Sequence, residues 1–337
     1  MTTQLNDRCL QLVRELGLGC VDEVSDITPL TGGVASDIAA LTLRGRRICV
    51  KFALPKLKVA ADWYAPVHRN AAEYAWLETA AKITPNSAVK LFGRSEKAHG
   101  FAMEFVAGPD VYLWKTALLD GQICKGEAAR IGGMIGQIHA ASTKPGFEDT
   151  PFQNQEDFRA LRIEPYLSFT ASKHPDIAGA LTKLADRLFV SKQVLTHGDV
   201  SPKNILIRPD GPVILDAECA TIGDASFDPS FCLNHLALKA YHLPNSRPGL
   251  LAEMLAFWQG YMPHISWESR SDLETRICLL LPALMLARID GKSPVEYLSE
   301  RERSNLRTIA IDMIKAPETT LSNFVSTLDH HMKERSV

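Results

Sequence analysis

The sequence predicts an α+β fold with two lobes, an N-terminal lobe of antiparallel sheet and helices and a mainly helical C-terminal lobe that carries a β-hairpin. Strand-like segments joined by glycine turns are concentrated before residue 107, and apolar residues at helical spacing dominate after it. The length of 337 residues also favours two lobes, because single hydrophobic cores stop growing at roughly 250–300 residues. We therefore assign 1–106 to the N-terminal lobe and 107–337 to the C-terminal lobe.

The composition excludes several classes of protein. A net charge of −2 gives no basic excess for nucleic acid or for an anionic membrane. The most apolar run, 277–287, is too short to cross a bilayer, and the N-terminus lacks the pattern of a secretion signal. The seven cysteines are scattered and include no Cys-x-x-Cys pair, which argues against a disulfide framework or a zinc site. We expect a cytoplasmic protein.

The N-terminal lobe begins with apolar residues at helical spacing from Leu5 to Leu16. Strands are predicted at 27–30, 39–43, 47–52, 89–92 and 101–106, which together form a small antiparallel sheet. Gly32 and Gly33 lie in the turn between the first two strands, where backbone amides could approach phosphates. A plain hairpin turn is the alternative interpretation.

The C-terminal lobe is predicted to be mainly helical. A stripe of apolar residues ends at His139, to which we assign no chemistry. Residues 144–170 are predicted to form an irregular insert that borders a substrate pocket. Further helical segments are predicted at 181–189, from 228, and at 249–262, 271–290 and 303–333.

A hairpin is predicted between Val194 and Glu218. Its turn lies at 209–212, so 204–208 should pair with 213–216 and bring Asn204 close to Asp216. An amide and a carboxylate about 5 Å apart can share a cation. Asp199 lies one loop upstream, where it can accept the proton of a substrate hydroxyl. These are the groups that phosphoryl transfer from a nucleotide requires, although a surface hairpin with polar ends is the alternative.

The pattern His197-Gly-Asp-x-x-x-x-Asn204 followed by Asp216 resembles the catalytic segment of the aminoglycoside phosphotransferase and choline kinase superfamily, relatives of the protein kinases. The resemblance implies a bilobal protein-kinase-like fold that uses ATP and Mg²⁺. It also implies that Asp199 is the catalytic base and that Asn204 and Asp216 bind magnesium. Asp216 stands in Leu-Asp-Ala-Glu-Cys and not in Asp-Phe-Gly, which argues against a protein kinase.

Two further features fit this resemblance. Lys51 lies in an apolar strand, where an unpaired ammonium is costly, and Glu73 follows it on the helical segment 69–81. This is the order of the lysine and glutamate that pair in kinase-like sites, although a lysine that reaches solvent along the core is the alternative. The segment from Met103 to Gly108 resembles the superfamily's hinge, which implies that the backbone of Glu104 and Val106 contacts adenine.

Three segments resemble methylthioribose kinases, namely 50–58 with Trp63, 109–115 and 216–228. The last implies that Glu218 also binds the metal, since it lies two residues from Asp216 on an extended chain and so on the same face. Arg288 matches a position that faces the sugar in that family, although an arginine that caps its helix is the alternative. The resemblance also implies a homodimer. Asn204 and the single arginine at 287–288 depart from that family's pattern.

These observations predict an ATP-dependent phosphotransferase that acts on a hydroxyl of a small molecule, a sugar such as methylthioribose or a related polyol. An aminoglycoside kinase or a choline-type kinase is the first alternative. The second is a catalytically silent nucleotide-binding module, against which the intact set of Lys51, Glu73, Asp199, Asn204 and Asp216 argues.

Overall fold

The computed structural model describes residues 2–30, 36–56, 66–123 and 126–335. Its N-terminal sheet has five antiparallel strands in the order β1-β2-β3-β5-β4. They are β1 (Val24–Pro29), β2 (Ser36–Leu43), β3 (Arg46–Ala53), β4 (Leu91–Ser95) and β5 (Gly100–Glu104). The predicted sheet is therefore confirmed. β1 begins earlier than predicted, because the polar residues of an edge strand carry little hydrophobic signal. Gly32, Gly33 and Trp63 lie outside the described residues.

The two faces of β3 point to different parts of the protein. Val50 and Phe52 pack under α1 (Thr2–Glu15), against Leu12 and Val13. Side chains alternate along a strand, so Lys51 points away from α1 and toward α2 (Arg69–Ile83). The alternation thus places a charged side chain on the inner face of the sheet.

The remaining helices build the C-terminal part. They are α3 (Trp114–Leu119), α4 (Glu127–Ser142), α5 (Gln155–Phe158), α6 (Phe169–Lys173), α7 (Ala178–Val190), α8 (Phe227–His242), α9 (Arg247–Tyr261), α10 (Arg270–Asp290), α11 (Glu300–Lys315) and α12 (Leu321–Glu334). Every residue of α8 from Phe227 to Tyr241 is buried, so α8 is the central helix and its polar side chains are buried with it. In the described ranges, no helix is long and apolar enough to span a membrane.

One sequence prediction for this part was wrong. The segment 144–170 is not irregular throughout, because a π-helix (Arg159–Ser168) runs between α5 and α6. Pro165 inside this π-helix cannot donate a backbone hydrogen bond, and it hid the helical pattern. The segment 303–333 is mostly helical as predicted and consists of α11 and α12, since the chain leaves α11 before Pro317.

The predicted hairpin is confirmed. β8 (Ile205–Arg208) pairs antiparallel with β9 (Gly211–Ile214), and β6 (Tyr112–Leu113) pairs with the other edge of β8. A separate pair joins β7 (Val194–Thr196) to β10 (Thr221–Gly223). Beyond the last pair of β8 and β9, the Leu215 amide donates to the Asn204 carbonyl over 2.9 Å, which brings Asn204 close to Asp216 as predicted.

The α+β bilobal fold is confirmed by this division into sheet and helices. β5 ends at Glu104, and the chain then runs without regular structure to β6, which pairs in the C-terminal part. The lobe boundary at residue 106 stays a prediction.

Candidate active site

A cavity of about 280 Å³ lies between the N-terminal sheet and the β8–β9 hairpin. Its apolar walls include Leu30, Ile38, Cys49, Met103, Leu206 and Leu215. Its polar lining consists of Lys51, Glu73, Glu104, Lys203, Asn204 and Asp216. Apolar walls with a few converging polar groups are typical of a small-molecule site.

Lys51 connects the sheet to the hairpin. Its Nζ lies 2.8 Å from Oε1 of Glu73 and also donates to Oδ1 of Asp216. Burial favours the neutral amine, but Asp216 and Glu73 outweigh burial and raise the pKa of Lys51. The ammonium therefore stays charged, and the partner that the sequence predicted for it is present. Burial also favours the neutral form of Glu73, and it raises the pKa of this carboxyl group to about 7 against the attraction of Lys51.

Asp216 and Asn204 present oxygen atoms to the same cavity. The backbone of Asp216 is left-handed, with φ of 71°, a conformation uncommon outside glycine that is found at functional sites. The Nδ2 of Asn204 donates to the carbonyl of Asp199 over 3.1 Å, so its Oδ1 remains available to a cation. Burial raises the pKa of Asp216, yet Lys51 and Lys203 outweigh burial and lower it, which keeps the carboxylate charged.

Asp199 has one oxygen held and one oxygen without a partner. Its Oδ2 lies 3.0 Å from Nη2 of Arg162 and 3.3 Å from Nζ of Lys203. Its Oδ1 is buried and accepts no hydrogen bond from the residues that the structure describes. Burial opposes ionisation, but Lys203 and Arg162 outweigh it and hold the pKa of Asp199 far below its usual range. The free oxygen is thus a charged, buried acceptor next to the cavity.

The loop that carries Asp199 is fixed by backbone hydrogen bonds. The carboxylate of Asp228, at the start of α8, accepts from the amides of His197 (2.6 Å) and Gly198 (2.9 Å). Gly198 has φ of 81°, and a Cβ there would lie 2.8 Å from Cβ of Cys219. The loop therefore requires glycine at this position.

His197 positions the loop and carries no charge. Its Nδ1 accepts from the amide of Asp199 over 3.1 Å, and its ring meets Trp76 edge to face at 4.6 Å. Burial lowers the pKa of His197, so the neutral ring keeps its proton on Nε2. His139, to which we assigned no chemistry, is likewise a packed residue that bonds to Tyr261 and Asp228.

Glu218 lies outside the lining of the cavity. Its Oε2 accepts from Nε of Arg69 over 2.8 Å, and both side chains are buried. Its Oε1 has no hydrogen-bond partner within the described ranges. The charge of Glu218 adds to that of Asp216 and Glu73 around Lys51, so its role as a metal ligand stays a prediction.

The segment after β5 is where the sequence predicted the hinge contacts, and these contacts stay a prediction. The amide of Glu104 already donates to the carbonyl of Lys90 over 2.8 Å. The amide of Val106 makes no backbone hydrogen bond with the part of the chain that the structure describes, and Val106 lines the cavity. Val106 is therefore the better candidate to contact a base through its backbone.

Arg288 lies on α10, away from the nucleotide-sized cavity. Its Nη1 donates to Oγ of Ser293 (2.9 Å), to the Ser293 carbonyl and to Oη of Tyr166 (3.3 Å). Its Nε is buried without a partner among the described residues. The guanidinium thus holds the loop after α10, and the carbonyls of α10 itself are not its acceptors.

The residues present fit a hard cation delivered with a nucleotide. Asn204 and Asp216 offer oxygen ligands in one cavity. Within the described ranges, no group of three or more histidine, cysteine and acidic side chains could hold a metal by itself. Magnesium commonly takes only one or two protein carboxylates together with substrate phosphates, and this arrangement matches that pattern.

Sequence reasoning missed three residues of the site, namely Arg162, Lys203 and Asp228. Lys203 had a usable signal, because it stands four residues after Asp199 and one before Asn204. Arg162 and Asp228 are 37 and 30 residues from their partners in the loop. Nothing in the local pattern connects either residue to the site.

The model of the phosphotransferase enzyme family matches residues 26–273, which is well over half of the chain. A comparison with curated proteins returned no match. The family match supports the predicted superfamily, whereas the finer resemblance to methylthioribose kinases stays a prediction.

Solved structures share the fold at low sequence identity. A choline/ethanolamine kinase family protein from Mesorhizobium loti is 14% identical with a TM-score of 0.57, over 97% of this chain and 99% of that chain. Amicoumacin kinase, solved with AMP-PNP and Ca²⁺, is 14% identical with a TM-score of 0.54, over 95% and 98%. An ethanolamine kinase from Plasmodium vivax is 10% identical with a TM-score of 0.52, over 100% and 88%.

Proposed function

The chain belongs to the phosphotransferase enzyme family, and from that premise we propose that it transfers the γ-phosphoryl group of ATP to a hydroxyl of a sugar or a related polyol. Its class, a small-molecule kinase, follows from the family. One observation carries the proposed roles. Asp199 has a buried, charged and unpartnered oxygen next to a cavity in which Lys51 bridges Glu73 and Asp216.

In the proposed reaction the acceptor oxygen forms a bond to the γ-phosphorus of ATP. The bond from that phosphorus to the β–γ bridging oxygen breaks, and ADP leaves with the electron pair. The hydroxyl proton passes to Oδ1 of Asp199. A strongly ionised carboxylate is a weak base, which suits a loose transition state in which the hydroxyl is oriented first and loses its proton late. Lys203 and Arg162 hold the carboxylate in this state.

The nucleotide is proposed to occupy the cavity beside the hairpin. The apolar walls would accommodate the base, and the amide of Val106, which makes no backbone hydrogen bond within the described ranges, would bond it. Asn204 and Asp216 would hold Mg²⁺, and Glu218 through Oε1 is a candidate third ligand. When bound, the metal neutralises charge on the phosphates. Lys51 supplies a fixed positive charge in the same cavity for phosphate oxygens, and Glu73 keeps it in place.

The roles are tested by Asp199→Asn, with Asp186→Asn on the exposed face of α7 as the matched control. ADP release with sugar and polyol acceptors is measured beside calorimetry of Mg²⁺–AMP-PNP binding. We expect the turnover of Asp199→Asn to fall by about a hundredfold or more while nucleotide affinity is retained. Near-full turnover of this variant would reject Asp199 as the base.

Two finer points belong to the same proposal. Removal of Mg²⁺ should abolish tight AMP-PNP binding, because the phosphates then face Asp216 without a bridging cation. Calorimetry with and without the metal decides this. The predicted homodimer is checked by light scattering on the purified protein.

A further inference from the structure

A group of buried basic side chains lies beside the site and has no part in the proposed transfer. His235 and Lys239 are one turn apart on α8, and the charge of Arg288 on α10 acts on both of them. Each is less than one-tenth exposed. Buried cations are normally paired with carboxylates, so the partners of these three side chains must be identified.

Lys239 and Arg288 have no acidic partner among the residues that the structure describes. Nζ of Lys239 lies 5.0 Å from the ring centroid of Tyr297 and makes no hydrogen bond or ion pair within those ranges. Arg288 donates only to Ser293 and Tyr166, and its Nε is left without an acceptor. Neither side chain is thus paired with a carboxylate within those ranges.

The neighbouring charges do not compensate the positive charge of Lys239. Burial, Lys115 and Arg288 together lower the pKa of Lys239 to about 7, and Glu296 and Cys232 act against them with smaller effects. Glu296 is the carboxylate whose charge acts on Lys239, and it is already bonded to Lys115. An uncompensated buried positive charge destabilises the fold unless an anion joins it.

These side chains are connected to Asp199 through aromatic rings. Arg162, which holds Asp199, has its guanidinium carbon 5.9 Å from the ring centroid of Phe231. The ring of Phe231 is 5.6 Å from the rings of both Tyr166 and His235, and the guanidinium carbon of Arg288 is 5.8 Å from that of Tyr166. Lys239 follows Phe231 by eight residues on α8, about 12 Å along the helix axis.

We propose that the acceptor carries an anionic group, a carboxylate or a phosphate, which Lys239 and Arg288 bind while its hydroxyl lies at Asp199. This inference rests on the proposed kinase function and names the substrate class of the same site. A guanidinium fork and an ammonium together form strong charge-assisted bonds to such a group. Choline and aminoglycosides carry positive charge, and the same side chains repel them.

The binding of the anionic group is tested first with bare anions. The protein is saturated with AMP-PNP and Mg²⁺, and its melting temperature is followed with sulfate as the phosphate probe and acetate as the carboxylate probe. We expect one of the two anions to raise the melting temperature of the wild type several degrees more than that of Lys239→Met or Arg288→Gln. Lys183→Met, which removes an exposed lysine on α7, should respond as the wild type does.

The rise in melting temperature caused by the anion should also depend on pH. Stabilisation by the anion should weaken as the pH rises through about 7, because Lys239 then loses its proton, and it should be independent of pH in Lys239→Met. An equal response of the wild type and both site variants would overturn the proposal. Failure of AMP-PNP to bind would instead count against the kinase function, so the two failures are distinguishable.

A second measurement uses acceptors that differ only in one terminal group. ADP release is compared for gluconate, glucitol 6-phosphate, glucitol and glucamine, which are anionic, anionic, neutral and cationic. We expect an anionic member to exceed glucitol at least tenfold in kcat/KM, and Lys239→Met to remove that advantage with the KM for ATP within twofold. Faster turnover of glucitol or glucamine would overturn the proposal. If none of the four compounds reacts, the change in melting temperature with sulfate and acetate alone decides whether the anion site exists.

Discussion

Arg162→Met should cost both stability and turnover, because one buried guanidinium serves the whole loop around Asp199. Its Nε donates to the Gly198 carbonyl (2.5 Å), its Nη1 to the Leu161 carbonyl (2.9 Å) and its Nη2 to Asp199 (3.0 Å). Removing one partner of a buried ion pair costs about 3–5 kcal/mol in the free energy of unfolding. We expect a loss in that range, since methionine replaces the volume and none of the hydrogen bonds.

The matched control is Arg159→Met on the same π-helix. Arg159 has a half-exposed side chain that pairs with Glu164 over 3.1 Å. Exposed pairs of this kind contribute about 0–1 kcal/mol. Urea denaturation of the wild type and both variants measures the difference. If Arg162→Met loses no more stability than Arg159→Met, the assigned contacts of Arg162 do not hold the loop.

The pH profile separates an effect on Asp199 from a general loss of stability. In the wild type, Lys203 and Arg162 hold the pKa of Asp199 far below its ordinary value against burial. Its ionisation therefore stabilises the fold above the unfolded pKa near 3.8, and this contribution is lost as the pH falls toward the folded value. Without Arg162, burial is opposed mainly by Lys203, and the pKa rises. We expect kcat/KM of the variant to fall on acidification in a pH range where the wild type is constant.

Two further predictions concern the buried groups around the site. Burial raises the pKa of Glu73 from 4.5 to about 7, so the folded state binds its proton more tightly and the stability of the wild type should fall as the pH rises between these values; Glu73→Gln should remove that decline in denaturation curves taken across the interval. Gly198→Ala should lose roughly 1–3 kcal/mol through backbone strain and further stability through the contact with Cys219. Gly179→Ala on α7, where a Cβ meets nothing within 4 Å, should be neutral or stabilising by about 1 kcal/mol in the same urea assay.

The parts of the site that sequence reasoning found are those fixed by short-range rules. The register of a tight hairpin brings Asn204 to Asp216 whatever the rest of the chain does. The cost of burying an unpaired ammonium requires a partner for Lys51, and only the order along the chain selects Glu73. The five strands were recognisable for the same reason, because alternation of apolar residues is a local property.

The missed parts depend on packing between distant segments. Arg162 reaches Asp199 only because the π-helix lies against the loop around Asp199, and the proline in that helix disguised it as an irregular insert. Asp228 begins α8, and its carboxylate accepts two loop amides that are about 30 residues away along the chain. A carboxylate at a helix start ordinarily stabilises the helix. The sequence therefore explained Asp228 by that role and gave no sign of its hydrogen bonds to the loop.

Lys51 and Lys239 are both buried lysines, but only the charge of Lys51 is compensated by carboxylates of the fold. Each lysine is buried, so the argument that demanded a partner for Lys51 applied to Lys239 as well. Two carboxylates flank Lys51 and raise its pKa against burial, whereas burial, Lys115 and Arg288 lower the pKa of Lys239 to about 7. An ammonium whose compensation is built into the fold serves as a fixed part of a site. One whose compensation is missing is stabilised when a ligand supplies the negative charge, and the ligand proposed for Lys239 is the anionic acceptor.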